Sequence, residues 1–170
     1  MNEEYQFIMK NGVWDIVPRP EEKSVITSKW ICKIKHAADG SIGKYKTIFV
    51  ARGFSQLEGI NYEDTFSPTS RYTMIHSLVS LVASMGWYIH QMDVKTSFLN
   101  QTIDEEVYIE KPLGFKYKYR KAYVCRLKKE IYGLQQAPRA WYARIDAYLQ
   151  RIGFTKCFVD LNLYIKVVDG

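Results

Sequence analysis

KWICKIKHAADGSIGKYKTIFVARGF, residues 29–54, decides how this chain is built. Trp30, Cys32 and Ile34 alternate with Lys29, Lys33 and Lys35. Successive side chains of a strand point to opposite faces, so this run predicts a strand with one buried face and one basic face. Asp39-Gly40 suits the positive φ angles of a tight turn, and SIGKYKTIFVARGF is therefore expected to return antiparallel, carrying Lys44, Lys46 and Arg52. Upstream, residues 1–12 have a short helical pattern that Gly12 can stop, followed by VWDIVP, a strand-like run ending at Pro18 and Pro20.

Downstream, Ile75, Leu78, Val79, Val82 and Met85 recur at helical spacing before Gly86, which predicts a buried helix. WYIHQMDV alternates in the manner of a strand that reaches the core with Asp93 at its end. KPLGFKYKYRKAY has no period and reads as a loop leading to the short strand YVCRL. Pro138 suits the first turn of a second helix, with Trp141, Ile145, Tyr148, Leu149 and Ile152 on one face and Gly153 closing it. LYIKVV is expected as a last strand. The expected fold class is α+β: an antiparallel sheet with helices packed on one face. The divisions are a lead-in helix and strand over 1–24, a hairpin region over 25–72, and a mixed region over 73–170.

At 170 residues with 47% hydrophobic and 15% aromatic content, the chain is long enough for one core and a small second lobe. Lys and Arg outnumber Asp and Glu by 24 to 18, a formal charge of +6 that favours a polyanionic partner. Cys32, Cys125 and Cys157 are far apart and form no metal-binding or disulfide pattern, as in a reducing compartment. There is no apolar run of about 18 residues, and MNEEYQF lacks the layout of a signal peptide. The expectation is an intracellular chain, cytoplasmic or nuclear, neither secreted nor in a membrane. His36, His76 and His90 have no ligand spacing among themselves.

The chemistry concentrates in HQMDVKTSFLN (90–100), EEVYIEKPLGF (105–115) and RLKKEIYGLQQAPRAWY (126–142). With the runs Trp30 to Lys46 and Gly53 to Pro68, these segments resemble the reverse transcriptase of copia-type retrotransposons along essentially the whole chain. In that family a strand ending in D-V-K-T-[AS]-F-L-N supplies the first catalytic aspartate, and L-Y-G-L-[KQ]-Q-A-P-R-x-W follows. The resemblance implies the fingers and palm of an RNA-directed DNA polymerase, acting on an RNA or DNA primer-template with deoxynucleoside triphosphates and Mg²⁺ or Mn²⁺. It also implies a parent polyprotein carrying integrase and RNase H segments.

Polymerase chemistry is phosphoryl transfer on two metal ions, so several carboxylates must converge. Asp93 matches the first of them, with the Val94 backbone carbonyl as a further ligand. Read alone, Asp93 is better taken as a turn or helix-cap residue; within this motif the metal-binding reading is preferred. The family's other two aspartates lie in a Y-V-D-D hairpin after the equivalent of LYIKVVDG, so the chain is expected to be truncated before that hairpin and inactive in isolation. Lys46 and Arg52 match basic groups that meet the incoming triphosphate; the alternative is a solvated strand face. Phe98 matches a steric gate that excludes a 2′-hydroxyl, or is a core aromatic. Tyr132 and Gln136 fall in a segment that cradles nucleotide and template, or in a plain loop before Pro138. Lys116, Lys118, Arg120 and Lys121, beside Tyr117, Tyr119 and Tyr123, could track a phosphate backbone or form a solvated loop. Two departures stand out. Ile48 occupies the place of a customary arginine, and Gln101 that of a common glycine. A nucleic-acid-binding remnant, or an inert product, is the alternative to a polymerase fragment.

Overall fold

The local signals at the N-terminus do form a helix. In the computed structural model, which describes residues 1–94, 96–115 and 122–168, α1 spans Asn2–Lys10. Glu3 and Glu4 lie at its positive end and Lys10 at its negative end, each favourable to the helix dipole. Gly12 (φ +58°) then turns the chain into β1, Trp14–Pro18. The remaining elements in chain order are β2 (Val25–Ile26), β3 (Ser28–His36), β4 (Ile42–Ala51), α2 (Tyr72–Met85), β5 (Tyr108–Ile109), β6 (Tyr123–Leu127), α3 (Ala137–Arg151), β7 (Thr155–Lys156) and β8 (Tyr164–Ile165).

Among the described residues these strands form three sheets rather than one. A four-stranded sheet runs β1-β6-β5-β2, antiparallel except for the parallel pair β2 and β5. β3 and β4 form the expected hairpin, with Gly40 at φ +83° in its turn, and β7 pairs with β8. The fold is α+β, but its sheet is mixed rather than purely antiparallel.

One core joins these parts. Ile8, Val13, Trp14, Ile26, Phe49, Leu99, Val107, Ile109, Cys125 and Leu127 are all buried in it. Trp14 meets the Phe49 ring edge-on at 5.6 Å, and Trp30 packs on the other side of Phe49 at 4.9 Å while its indole N–H donates to the Leu113 carbonyl. Aromatic contacts of this geometry add to the area they bury.

Three expectations are corrected. α2 forms where its spacing predicts, with Gly86 in the left-handed conformation at its end, yet none of its residues is buried. Apolar periodicity reports a face that wants cover, and no neighbouring layer among the described residues supplies it. Second, residues 87–94 form no strand and are exposed throughout. A strand exists only where a neighbour takes its backbone hydrogen bonds, and none of the described strands lies beside this run. Third, the apolar face of β3 is only partly covered: Trp30 packs on the core, but Cys32 and Ile34 are exposed, because the hairpin extends past the core that holds its base.

The base of that hairpin is fixed by bare backbone. The Ala51 N–H donates to the Tyr132 carbonyl at 2.8 Å. At Gly133 (φ +92°) a Cβ would run into the Ala51 carbonyl, and at Gly53 one would run into the Gly133 carbonyl. Gly133→Ala therefore combines left-handed strain, about 1–2 kcal/mol for an ordinary residue, with a backbone collision. Gly40→Ala, where a Cβ meets nothing within 4 Å, carries the strain alone. Urea titration is expected to show the larger loss at Gly133; equal losses would refute the close approach.

Candidate active site

Ile131, Leu134 and Ala137 are buried and pin the segment 131–137 to the core. This anchoring turns Tyr132 outward, half-buried, where Phe98 meets its ring edge-to-face at 4.9 Å and 83°. Phe98 begins a 3₁₀ turn, Phe98–Asn100, which buried Leu99 fastens to the core. The turn closes through the Gln101 N–H on the Phe98 carbonyl, and the Gln101 carbonyl in turn accepts from the Glu130 N–H. Gln101 sits at φ −104°, ψ 131°, ordinary extended backbone, so glycine is not required there and this departure from the family adds no backbone strain.

Gln136 is buried next to this aromatic pair in sequence and hydrogen-bonded to Gln56 from 80 residues away. Gln56 Oε1 accepts the Gln135 backbone N–H at 2.8 Å, and Gln56 Nε2 donates to Gln136 Oε1 at 3.0 Å. The structure thus brings Phe98 and Tyr132 together, while Gln136 lines a separate cleft. Lys46 and Arg52 are not part of a single cluster with each other. Six residues of extended chain separate them by about 20 Å, and both side chains are exposed. Lys46 lies near Glu4, whose pKa is raised chiefly by burial; a hydrogen bond from the Phe49 backbone and the charge of Lys46 oppose that rise.

Asp93 and Val94 are exposed in the irregular run before the Phe98 turn, and Asp93 makes no hydrogen bond or ion pair among the described residues. Thr96 has φ +54°, unusual for a β-branched residue. Strain of this kind costs on the order of 1–3 kcal/mol and gathers at functional segments. No group of three or more His, Cys, Asp or Glu among the described residues could hold a metal ion. One exposed carboxylate does not make a divalent-cation site, so the residues present do not fit a two-metal centre by themselves. Lys116 to Lys121 lie outside the described residues, and Tyr123 opens β6.

Sequence reasoning missed a cleft of about 530 Å³ beside Gln136, walled by Asp64, Asp104, Glu105, Glu130 and Arg139 among others. Arg139 pairs with Asp64 at 3.2 Å, and farther along the cleft Lys156 pairs with Asp146 at 2.9 Å. Glu130 is 1% exposed, and its Oε2 has no hydrogen-bond partner among the described residues. Burial, reinforced by the charges of Glu105 and Asp104, pushes its carboxyl up to about 8, so it is largely protonated at neutral pH. Its only sequence signal was a Glu set between Lys129 and Ile131 just before the buried run.

The chain belongs to the family described as reverse transcriptase (RNA-dependent DNA polymerase), whose profile matches residues 11–170. It is 39% identical over 166 residues to the retrovirus-related Pol polyprotein from transposon TNT 1-94 of Nicotiana tabacum, an alignment covering 98% of this chain and 12% of that polyprotein. The corresponding protein from transposon RE2 of Arabidopsis thaliana is 40% identical over 166 residues, covering 97% of this chain and 11% of that protein. The transposon Ty1-ER2 Gag-Pol polyprotein of Saccharomyces cerevisiae is 33% identical over 160 residues, covering 87% and 8%. The chain therefore spans roughly an eighth or less of these relatives. No solved structure matches it. Members of the family generally use divalent metal ions and act on nucleic-acid templates. No helix among the described residues is long and apolar enough to cross a membrane.

Glu130 makes stability depend on pH. A carboxyl with a higher pKa in the folded state stabilises the fold while it is protonated. That contribution is complete below its ordinary value of 4.5 and is lost as pH rises through about 8. Glu130→Gln is expected to abolish a decline of roughly a few kcal/mol across this window and to exceed the parent in stability at its upper end. Parallel urea curves for the two proteins across that pH range would refute the assignment.

Proposed function

We propose that this chain supplies part of the fingers and palm of an RNA-directed DNA polymerase, with 25–72 as the fingers-like hairpin region and 73–170 as partial palm. The observation that carries this reading is the Phe98–Tyr132 contact, which joins the two segments the family uses around the incoming nucleotide. Phe98 would form the floor under the deoxyribose and exclude a 2′-hydroxyl by volume. Tyr132 would fix the Phe98 ring, and Gln136 would offer a hydrogen bond beside it. Arg52, at the hairpin base, would meet the triphosphate, and Lys46 the charge farther out. Asp93 and the Val94 carbonyl would be this chain's share of a Mg²⁺ or Mn²⁺ site completed by carboxylates beyond those described. By itself the chain is therefore proposed to lack catalysis. RNA or DNA primer-template, deoxynucleoside triphosphates and the integrase and RNase H segments of a parent polyprotein are its proposed partners, in the cytoplasm or nucleus.

The test is primer extension on an RNA template with Mg²⁺. The chain alone is expected to be silent. Lengthened through a paired-aspartate hairpin of the Y-V-D-D pattern, it is expected to extend the primer, and Asp93→Ala to abolish extension. Extension that survives Asp93→Ala would sink the site assignment.

A second reading, a nucleic-acid-binding module, is favoured by the hairpin's charges. Lys33 stands directly opposite Lys46, and Lys35 opposite Lys44, all four exposed on one face. Like charges placed opposite each other destabilise a sheet, whereas a bound phosphate backbone would neutralise both pairs. Replacing Lys33 and Lys46 together by Gln is expected to lower the slope of log affinity for single-stranded RNA against log salt by about 1.4, without lowering Tm. An unchanged slope would exclude this face as the contact.

A further inference from the structure

We infer that Gln56 is a positioning residue: it orients the Gln136 carboxamide so that the Gln136 NH2 group faces the cleft as a fixed donor for an acceptor atom of a bound nucleotide. This rests on the nucleotide-binding reading of Gln136 given above.

The orientation follows from a chain of obligate donors and acceptors. A backbone N–H can only donate, so the group of Gln56 that receives the Gln135 N–H must be its carbonyl oxygen, Oε1. The Gln56 NH2 then lies on the other branch of the amide and can only donate, so the group it meets at 3.0 Å must be Gln136 Oε1. Gln136 Nε2 is thereby turned away from Gln56. It has no hydrogen-bond partner among the described residues, although Gln136 is only 3% exposed and lines the cleft. A buried donor left unmatched is costly, and an acceptor atom meeting Gln136 Nε2 would remove that cost. The relay is also rigid. Gln56 is itself buried, its own N–H bonds to the Gly53 carbonyl, and Gly53 touches Gly133, so both ends of the amide chain ride on the same backbone crossing.

Gln56→Glu tests direction rather than mere presence. The carboxylate this substitution introduces still accepts the Gln135 N–H but cannot donate, so Gln136 would turn over, giving its NH2 to that carboxylate and its oxygen to the cleft. The Kd for dATP, titrated by intrinsic fluorescence of the full chain, is expected to rise about tenfold in Gln56→Glu, and not to rise further when Gln56→Glu is added to Gln136→Ala. Equal Kd in a folded Gln56→Glu, or fully additive losses in the double variant, would overturn the proposal. If the parent binds no dATP, the nucleotide reading fails, and side-chain amide NMR of the parent still decides the orientation. Slowly exchanging Gln56 NH2 protons with NOEs to Gln136, and Gln136 NH2 protons with NOEs to cleft side chains, are expected. The reverse pattern would overturn the proposal even if Gln56→Glu does not fold.

Discussion

The structure depends on one approach of backbone to backbone. Where the returning strand of the hairpin ends, Ala51 to Gly53 lies against Tyr132 and Gly133, closely enough that neither glycine could carry a side chain. The contact joins segments about 80 residues apart in sequence, so it closes a long loop and carries the corresponding entropic cost. That cost is offset by the burial it brings: Phe49 and Ala51 on one side, Ile131 and Leu134 on the other, share one core because of it. It also sets the chemistry. Tyr132 faces Phe98, and Gln136 faces Gln56, only because Gly133 lets the chain cross at this height.

How much of this was legible in the sequence depended on range. α1, the hairpin and α3 rest on local signals, namely the short helical pattern that Gly12 stops, the Asp39-Gly40 turn and Pro138 in the first turn, and each appears where it was expected. β2 and β5 are two residues each and are strands only because they pair with one another and with β6, which no local pattern announces. Alternation in residues 87–94 read as a strand because alternation is necessary for a half-buried strand; it is not sufficient without a partner. The same limit explains α2, whose spacing fixed the helix and whose burial was never a local property. The family motifs singled out Phe98, Tyr132 and Gln136, of which the structure brings Phe98 against Tyr132 and buries Gln136 against Gln56. Gln56 and Glu130 were missed because a polar residue goes into a core by pairing, or by protonation, at long range.

Electrostatics divides the molecule in two. On the hairpin, lysines face lysines in water, where screening keeps the repulsion small. In the cleft the acidic groups respond according to their exposure: the exposed Asp64 and the partly buried Asp146 pair with cations, while the fully buried Glu130 keeps its proton. A net charge of +6 conceals this division. An anionic partner would be drawn to the hairpin rather than to the acidic cleft.

Ile48 shows what the chain's departure from its family does at the level of packing. It lies on the same face of β4 as Lys46 and directly opposite Ile31, half-buried, two residues above Val50. A cross-strand pair of β-branched side chains strengthens a hairpin, by roughly 0.2–1 kcal/mol for favourable pairs. An arginine there would instead bring a third charge beside Lys33 and Lys46 and leave Ile31 without its partner. The isoleucine thus favours the folded hairpin and removes a planar, bidentate phosphate donor from the face that carries the other cations. On the polymerase reading proposed above, triphosphate binding would favour an arginine at this position; the isoleucine serves the stability of the hairpin.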